Sequence, residues 1–360
     1  MTKAEADSYS NLDLRGALPE TSQASVRFAF EFPELLEAFE RVDAVAGRMR
    51  KRSRTIGFLA IGLVLLALML ASADSVLAAL DHDTHEALGY LAAVLGLLGT
   101  AIALWSRGKS APRARWLKAR FQTETLRQFH FLFLSDRLPD VVSASGDPNK
   151  EAAFQQERAA LFATFKTRVL DQPDKAYRDQ LSEAEISPLA GLIEETPAEG
   201  VAMTRIAVNA TDAWIASRLK WQLNYCNAKL TLKKGSLKTP RSQEWMFGFI
   251  GWACIAVLIG IHLLHFFEHW LHLSRTWMQI GVVWTALFAL ASRAIESGLA
   301  PQREVERYEQ YRVNIRTALA RCESAVSFAS KVESMRAFER VCREEMVVFL
   351  RTHERSHFIL

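Results

Sequence analysis

TIGFLAIGLVLLALMLASA, residues 55–73, contains no Lys, Arg, Asp or Glu, and three further runs share that property, at 87–106, 245–266 and 276–292. About 20 such residues at about 1.5 Å each cross a hydrocarbon layer of about 30 Å as one helix. A secretory leader does not account for the first run, which begins some fifty residues into the chain without an export sequence before it. The expected architecture is therefore an all-α membrane protein with two transmembrane helical hairpins, four spans in all. The 360 residues are 50% hydrophobic and 23% charged, which fits only because the apolar residues are gathered into these runs.

Flanking charge sets the expected orientation, since Lys and Arg near span ends stay on the cytoplasmic side. Arg48, Arg50, Lys51, Arg52 and Arg54 precede the first run, and Arg107, Lys109, Arg113, Arg115 and Lys118 follow the second. The second pair repeats this, with Lys229, Lys233, Lys234, Lys238 and Arg241 before it and Arg293, Arg303 and Arg307 after it. The loop at 74–86 has four acids and no base. Both termini and the stretch between the hairpins are thus expected in the cytoplasm.

The expected domains follow: a disordered lead-in (1–25), an amphipathic helix (26–54), the first hairpin (55–106), a helical cytoplasmic domain (107–244), the second hairpin (245–293) and C-terminal helices (294–360). Within the cytoplasmic domain, 113–135 reads as a strong amphipathic helix, 149–170 and 174–196 read as helices, and 136–149 as a turn-rich break. The 302–352 region reads as one or two long helices. Pro112 and Pro301 suit a first helical turn after the second and fourth spans, and each hairpin is entered from a basic helical segment, so a duplicated unit is the economical account.

Six of the nine histidines fall on the expected outer side: His82 and His85 in one loop, and His262, His265, His269 and His272 in IHLLHFFEHWLH. On a continued helix the last four share an arc of about 80° in a row about 15 Å long. Zinc binds imidazole nitrogens at about 2.0–2.1 Å, so only an adjacent pair can share a metal, with His82, Asp81, Asp83 or Glu268 as further ligands. A pH-sensitive lip and an interfacial polar rim are the other two readings, and the rim is the stronger.

Enzyme chemistry finds no support, because the chain has no phosphate-cradling Gly-rich loop, no GxSxG elbow and no HExxH. Cys226, Cys254, Cys322 and Cys342 are scattered, fitting neither a disulfide framework nor a zinc ribbon. No cofactor is expected. The net charge of +4 is mostly base flanking the spans, which interacts with anionic lipid, and no aromatic-basic motif points to nucleic acid. Gly96 and Gly99, with Ala87, Ala92 and Ala93, offer a small-residue face on the second span for close helix packing.

Trp116, Arg120, Glu124 and Arg127, taken with Arg218, Gln222, Tyr225 and Lys229, resemble the SLATT family, short two-span membrane proteins associated with SMODS nucleotidyltransferases and SLOG sensors in prokaryotic conflict systems. There a hairpin is flanked by one helix carrying a Trp/Arg, acid, Leu-Arg series and another carrying an Arg, Gln, Tyr, Lys series. The match spans 107–130 and 214–310, and the second hairpin departs from the family pattern. The resemblance implies an anti-phage effector that oligomerises and permeabilises the inner membrane when a cytoplasmic sensor, nucleotidyltransferase or nuclease partner signals. From the residues alone, the same series reads as i,i+4 ion pairs on a solvated helix; a membrane scaffold recruiting soluble partners is the alternative role, and a metal-dependent membrane enzyme using the outer-side histidines is the third.

Overall fold

The computed structural model describes residues 14, 24–77, 82–106, 108, 111–182, 189, 191–233, 237–266 and 275–355, with side chains at 74–85, 266 and 355 excepted. Among the described residues there are helices and connecting turns but no strand. In chain order the helices are α1 (Arg27–Phe30), α2 (Pro33–Leu77), α3 (His82–Trp105), α4 (Pro112–Asp136), α5 (Leu138–Ala144), α6 (Pro148–Phe165), α7 (Pro173–Ser182) and α8 (Arg205–Trp214). They continue with α9 (Trp221–Leu230), α10 (Pro240–Phe266), α11 (Arg275–Leu299), α12 (Pro301–Ser324) and α13 (Phe328–Arg355). Helices α2, α4, α6, α7, α10 and α12 all start on a proline, whose fixed φ suits the first turn and whose missing N–H has no acceptor there anyway. The Asp147 carboxylate caps α6 by accepting from the backbone N–H groups of Asn149 and Lys150, and the Thr204 hydroxyl accepts from that of Ala207 to cap α8.

Two units emerge. The hairpin unit comprises Arg48–Trp116, Thr231–Val305 and Arg355–Leu360. Its four apolar helices lie in Pro33–Ala73, Glu86–Trp105, Pro240–His265 and Arg275–Ser324, each long and apolar enough to cross a membrane. Between 11% and 22% of their most apolar stretches is buried within the chain. A helix that is apolar all round and so little covered needs hydrocarbon as its solvent. The protein is an all-α, multi-pass membrane protein.

Packing within this unit depends on small residues. An ideal Cβ at Gly99 of α3 would stand 2.8 Å from Val64 Cγ2, 3.0 Å from the Ala60 carbonyl oxygen and 3.1 Å from Leu63 Cβ of α2, while one at Gly96 would meet Ala67 at 3.6 Å. Of the small-residue face of the second span, Gly96, Gly99 and Ala92 are therefore engaged inside the first hairpin, while Ala87 and Ala93 are exposed. Ile61 of α2 packs with Ala291 and Ala294 of α11, flanked by Leu65 and Ile295. The Trp284 indole N–H reaches across from α11 to the Met69 carbonyl (3.3 Å) and the Ser72 hydroxyl (3.0 Å). Hydroxyls elsewhere in the spans return to their own helix: Thr100 to Gly96 O at 2.8 Å and Thr285 to Gly281 O at 2.7 Å.

The polar unit is built from Met1–Gly47, Leu117–Leu230 and Glu306–Glu354. Its borders cut inside the segments expected from composition, because 48–54, 107–116, 231–244 and 294–305 group with the hairpins. Helix α4 is its axis. Instead of presenting a solvated face, α4 buries Phe121, Phe129, Phe131 and Phe133 together with Thr123, Thr125, Gln128, His130 and Ser135, since helices from all three segments enclose it. The expected break at 136–149 contains α5, started by Leu138-Pro139. Of the expected helix at 174–196, the described residues are helical as far as Ser182, and 191–204 is turn and extended chain, with Gly191 and Gly200 at φ of 66° and 82°. The C-terminal region is two helices, parted at 325–327. The disorder expected of the first 25 residues lies almost wholly outside the described residues.

Gly99→Val should force α2 and α3 apart and destabilise the purified protein by about 1–3 kcal/mol, through overpacking against backbone and a stiff valine. Gly62→Ala, where nothing stands within 4 Å, is the matched control and should leave the melting temperature in detergent unchanged.

Candidate functional site

The eight residues that carry the family resemblance fall into two places. Trp116 lies in the hairpin unit, with the Arg50 guanidinium over its ring at 5.9 Å. The other seven converge inside the polar unit.

One turn apart on α4, Arg120, Glu124 and Arg127 fall on one face, as their spacing of four and three requires. Arg120 Nη2 stands 2.5 Å from Glu124 Oε1, and Arg127 Nη1 donates to both Glu124 oxygens at 2.7 Å. The network reaches α2, where Asp43 Oδ1 is 4.0 Å from Arg120 Nη1 and the Phe39 ring lies 5.1 Å beneath the Arg127 guanidinium. Burial pushes the Glu124 carboxyl up, but the Arg120 and Arg127 charges outweigh it and hold the pKa at about 2.

Arg218 sits in a π-helical turn, Ile215–Lys220, that joins α8 to α9. The wider turn is a common device for placing a side chain off the regular helical rhythm. Arg218 makes a two-pronged pair with Glu339 of α13, Nε to Oε1 at 2.7 Å and Nη2 to Oε2 at 2.9 Å, with side chains only 2% and 3% exposed. Phe131 and Phe338 cover the guanidinium, at 4.6 and 5.8 Å. Gln222 is buried one turn further on. Tyr225 stacks on Trp221 at 5.7 Å, places its hydroxyl 3.4 Å from that of Tyr308, and lies under the Lys229 ammonium at 5.1 Å. Arg307 covers Tyr308 at 4.3 Å and pairs with Glu345.

The network thus joins all three segments of the polar unit. Asp43 comes from the first, Arg120, Glu124, Arg127 and Arg218 from the second, Tyr308 and Glu339 from the third. Sequence reasoning missed Glu339, Asp43 and Tyr308, because no periodicity marks partners separated by up to 121 positions. It also missed a second knot at the end of α4. There Arg336 pairs with Asp136 at 3.1 Å and Glu195 at 3.2 Å and donates to the Thr196 carbonyl at 3.1 Å, while the Thr196 hydroxyl donates to Asp140 at 2.7 Å. This pins the 191–204 segment.

Burial lifts the Cys226 and Cys342 thiols to about 12, so neither is a thiolate at neutral pH. Of the candidate metal ligands, His262 and His265 are exposed on α10, and His262 Nδ1 donates to the Leu258 carbonyl at 2.8 Å. The side chains of His82, His269 and His272 lie outside the described residues. Among the described residues no group of three or more His, Cys, Asp or Glu is placed to hold a metal ion. No protein-family model matches the chain, and no curated protein and no solved structure is similar to it.

A buried pair with one partner removed leaves an uncompensated charge, which costs about 3–5 kcal/mol, whereas replacing both partners by apolar groups is often neutral. Glu339→Gln should therefore lower the melting temperature strongly, and Arg218→Met with Glu339→Leu should recover most of the loss. A double variant no more stable than the single one would contradict this.

Two buried groups should give opposite pH dependence. Burial, then the Arg158 and Arg218 charges, holds His130 at about 3 against an ordinary 6.5, so its stabilising contribution is complete above pH 6.5 and declines as pH falls towards 3. Burial, aided by Glu195 and opposed by Arg336, lifts Asp136 from 3.8 to about 7, so its contribution is complete below 3.8 and declines as pH rises to 7. Between pH 7 and pH 5 the melting temperature of His130→Gln should fall less than that of the parent, and that of Asp136→Asn should fall more.

Proposed function

We propose that the protein is a membrane effector of a prokaryotic anti-phage defence system, which oligomerises and permeabilises the inner membrane when a cytoplasmic sensor, nucleotidyltransferase or nuclease partner delivers its signal. The observation that carries this reading is the buried charge network. It unites three chain segments that alternate along the sequence with the two hairpins. The segments it unites run on in sequence into all four spans.

Such a network also suits a two-state element. Buried ion pairs add little net stability but impose a large cost on any arrangement that separates them, so they define a resting state without making it immovable. A signal drives the change only by the difference in its affinity for the resting and assembled forms. The arginine asymmetry supports a cytoplasmic position for the polar unit and both termini. Since Gly96 and Gly99 are engaged inside the chain, assembly falls to the outward faces of α3 and α10, where Leu97 and Trp252 are each 73% exposed. Lipid and further copies of the chain are the expected partners in the membrane. Direct nucleic-acid binding is not part of the proposal.

Expressed with its genomic neighbours in a bacterial host and challenged by phage, the protein should depolarise the host membrane during infection. Glu124→Arg, which sets a third cation between Arg120 and Arg127, should reduce protection at least tenfold while the protein stays in the membrane fraction. Full protection with the potential intact throughout would overturn permeabilisation and leave a scaffold that recruits soluble partners through its helices.

A further inference from the structure

Between the two hairpins lies a groove of about 400 Å³. One wall is Met69 of α2, the other is the face of α10 from Phe249 to Val257, and the floor is Trp284, Thr285 and Phe288 of α11. All three helices belong to the apolar stretches that cross the membrane.

The lining rules out most occupants. Thr285 turns its hydroxyl proton to the Gly281 carbonyl at 2.7 Å, and Trp284 directs its N–H to Met69 O and Ser72, so neither the O–H nor the indole N–H is left to donate into the groove. A polar ligand or an ordered water would lose its hydrogen bonds there. A helix from another copy is too large. Over the roughly 12 Å from Phe249 to Val257 a helix about 10 Å across occupies roughly 900 Å³ and would lie mostly outside the groove, whereas an extended acyl chain is narrow enough to lie within it. The mouth is open to the bilayer, with Phe249, Val257 and Phe288 about half exposed or more. An unfilled groove would forfeit the dispersion contacts of its lining.

The geometry points to a phospholipid acyl chain as the resident ligand of this groove, lying between the hairpins and touching both. It is slender, apolar and always at hand at this depth. Because Met69 comes from one hairpin and the remaining lining from the other, the chain fills the space beside the Trp284 contact, where protein alone does not close the gap.

The test uses the full-length protein reconstituted in vesicles of phosphatidylethanolamine and phosphatidylglycerol that contain a photoactivatable acyl-chain analogue, with adducts mapped by mass spectrometry. Adducts should concentrate on Ala253, Cys254 and Met69, although Cys254 is only 6% exposed and Leu97 and Trp252 are 73% exposed. Native mass spectrometry of the detergent-purified protein should find one retained phospholipid per chain. Ala253→Trp, which fills the groove, should lower that retention at least fivefold, and Val257→Phe should lower it in part. Adducts distributed in proportion to exposure, or equal retention by the parent and both filled variants, would overturn the assignment.

Discussion

A guanidinium and a carboxylate that are 2% and 3% exposed have given up nearly all their water, and the Arg218–Glu339 pair survives this only because its geometry is two-pronged and aromatic rings cover its faces. Everything around it is arranged to meet that requirement. The π turn carries Arg218 to the right height, α13 must lie close enough to deliver Glu339, and α4 supplies Phe131 against the guanidinium face. Its neighbour on α4, Glu124, has the reverse composition, one acid between two arginines. The polar unit is therefore organised around charge and aromatic surface together, and Arg158, which donates to the Glu31 carbonyl at 2.8 Å with Phe32 4.3 Å beneath it, repeats the same solution at the end of α1.

The hairpin unit obeys the opposite constraint. Where the surroundings are hydrocarbon there is no gain in hiding apolar surface, so contacts depend on close approach and on the rare polar group. Gly99 against the Ala60 carbonyl oxygen and Trp284 on Ser72 are the two forms this takes here. Between these contacts the fit is looser, and the groove beside Met69 is its result.

The difference in solvent also explains what could be read from the sequence. Runs such as 87–106 announce their helices because a span has to be apolar on every side, and proline marks where many helices begin. The polar unit was less legible. Helix α4 looks amphipathic in sequence, yet His130 and Gln128 are buried along with its phenylalanines, because helices distant in the sequence close over the face that carries them. Seven of the eight resemblance-bearing residues lie in the polar unit. What they touch was not, since Glu339 and Asp43 stand among many similar acids on charged helices.

Native-state hydrogen exchange of the full-length protein in nanodiscs tests most directly whether the buried charges bind the three segments into one folding unit. Backbone amides of 121–134 in α4, 215–226 across the π turn and α9, and 332–346 in α13 should open together with a single free energy, and Glu339→Gln should lower it equally for all three. If α13 exchanges independently, with a lower free energy than α4 and no response of α4 to Glu339→Gln, the network does not unite the segments and the account is wrong.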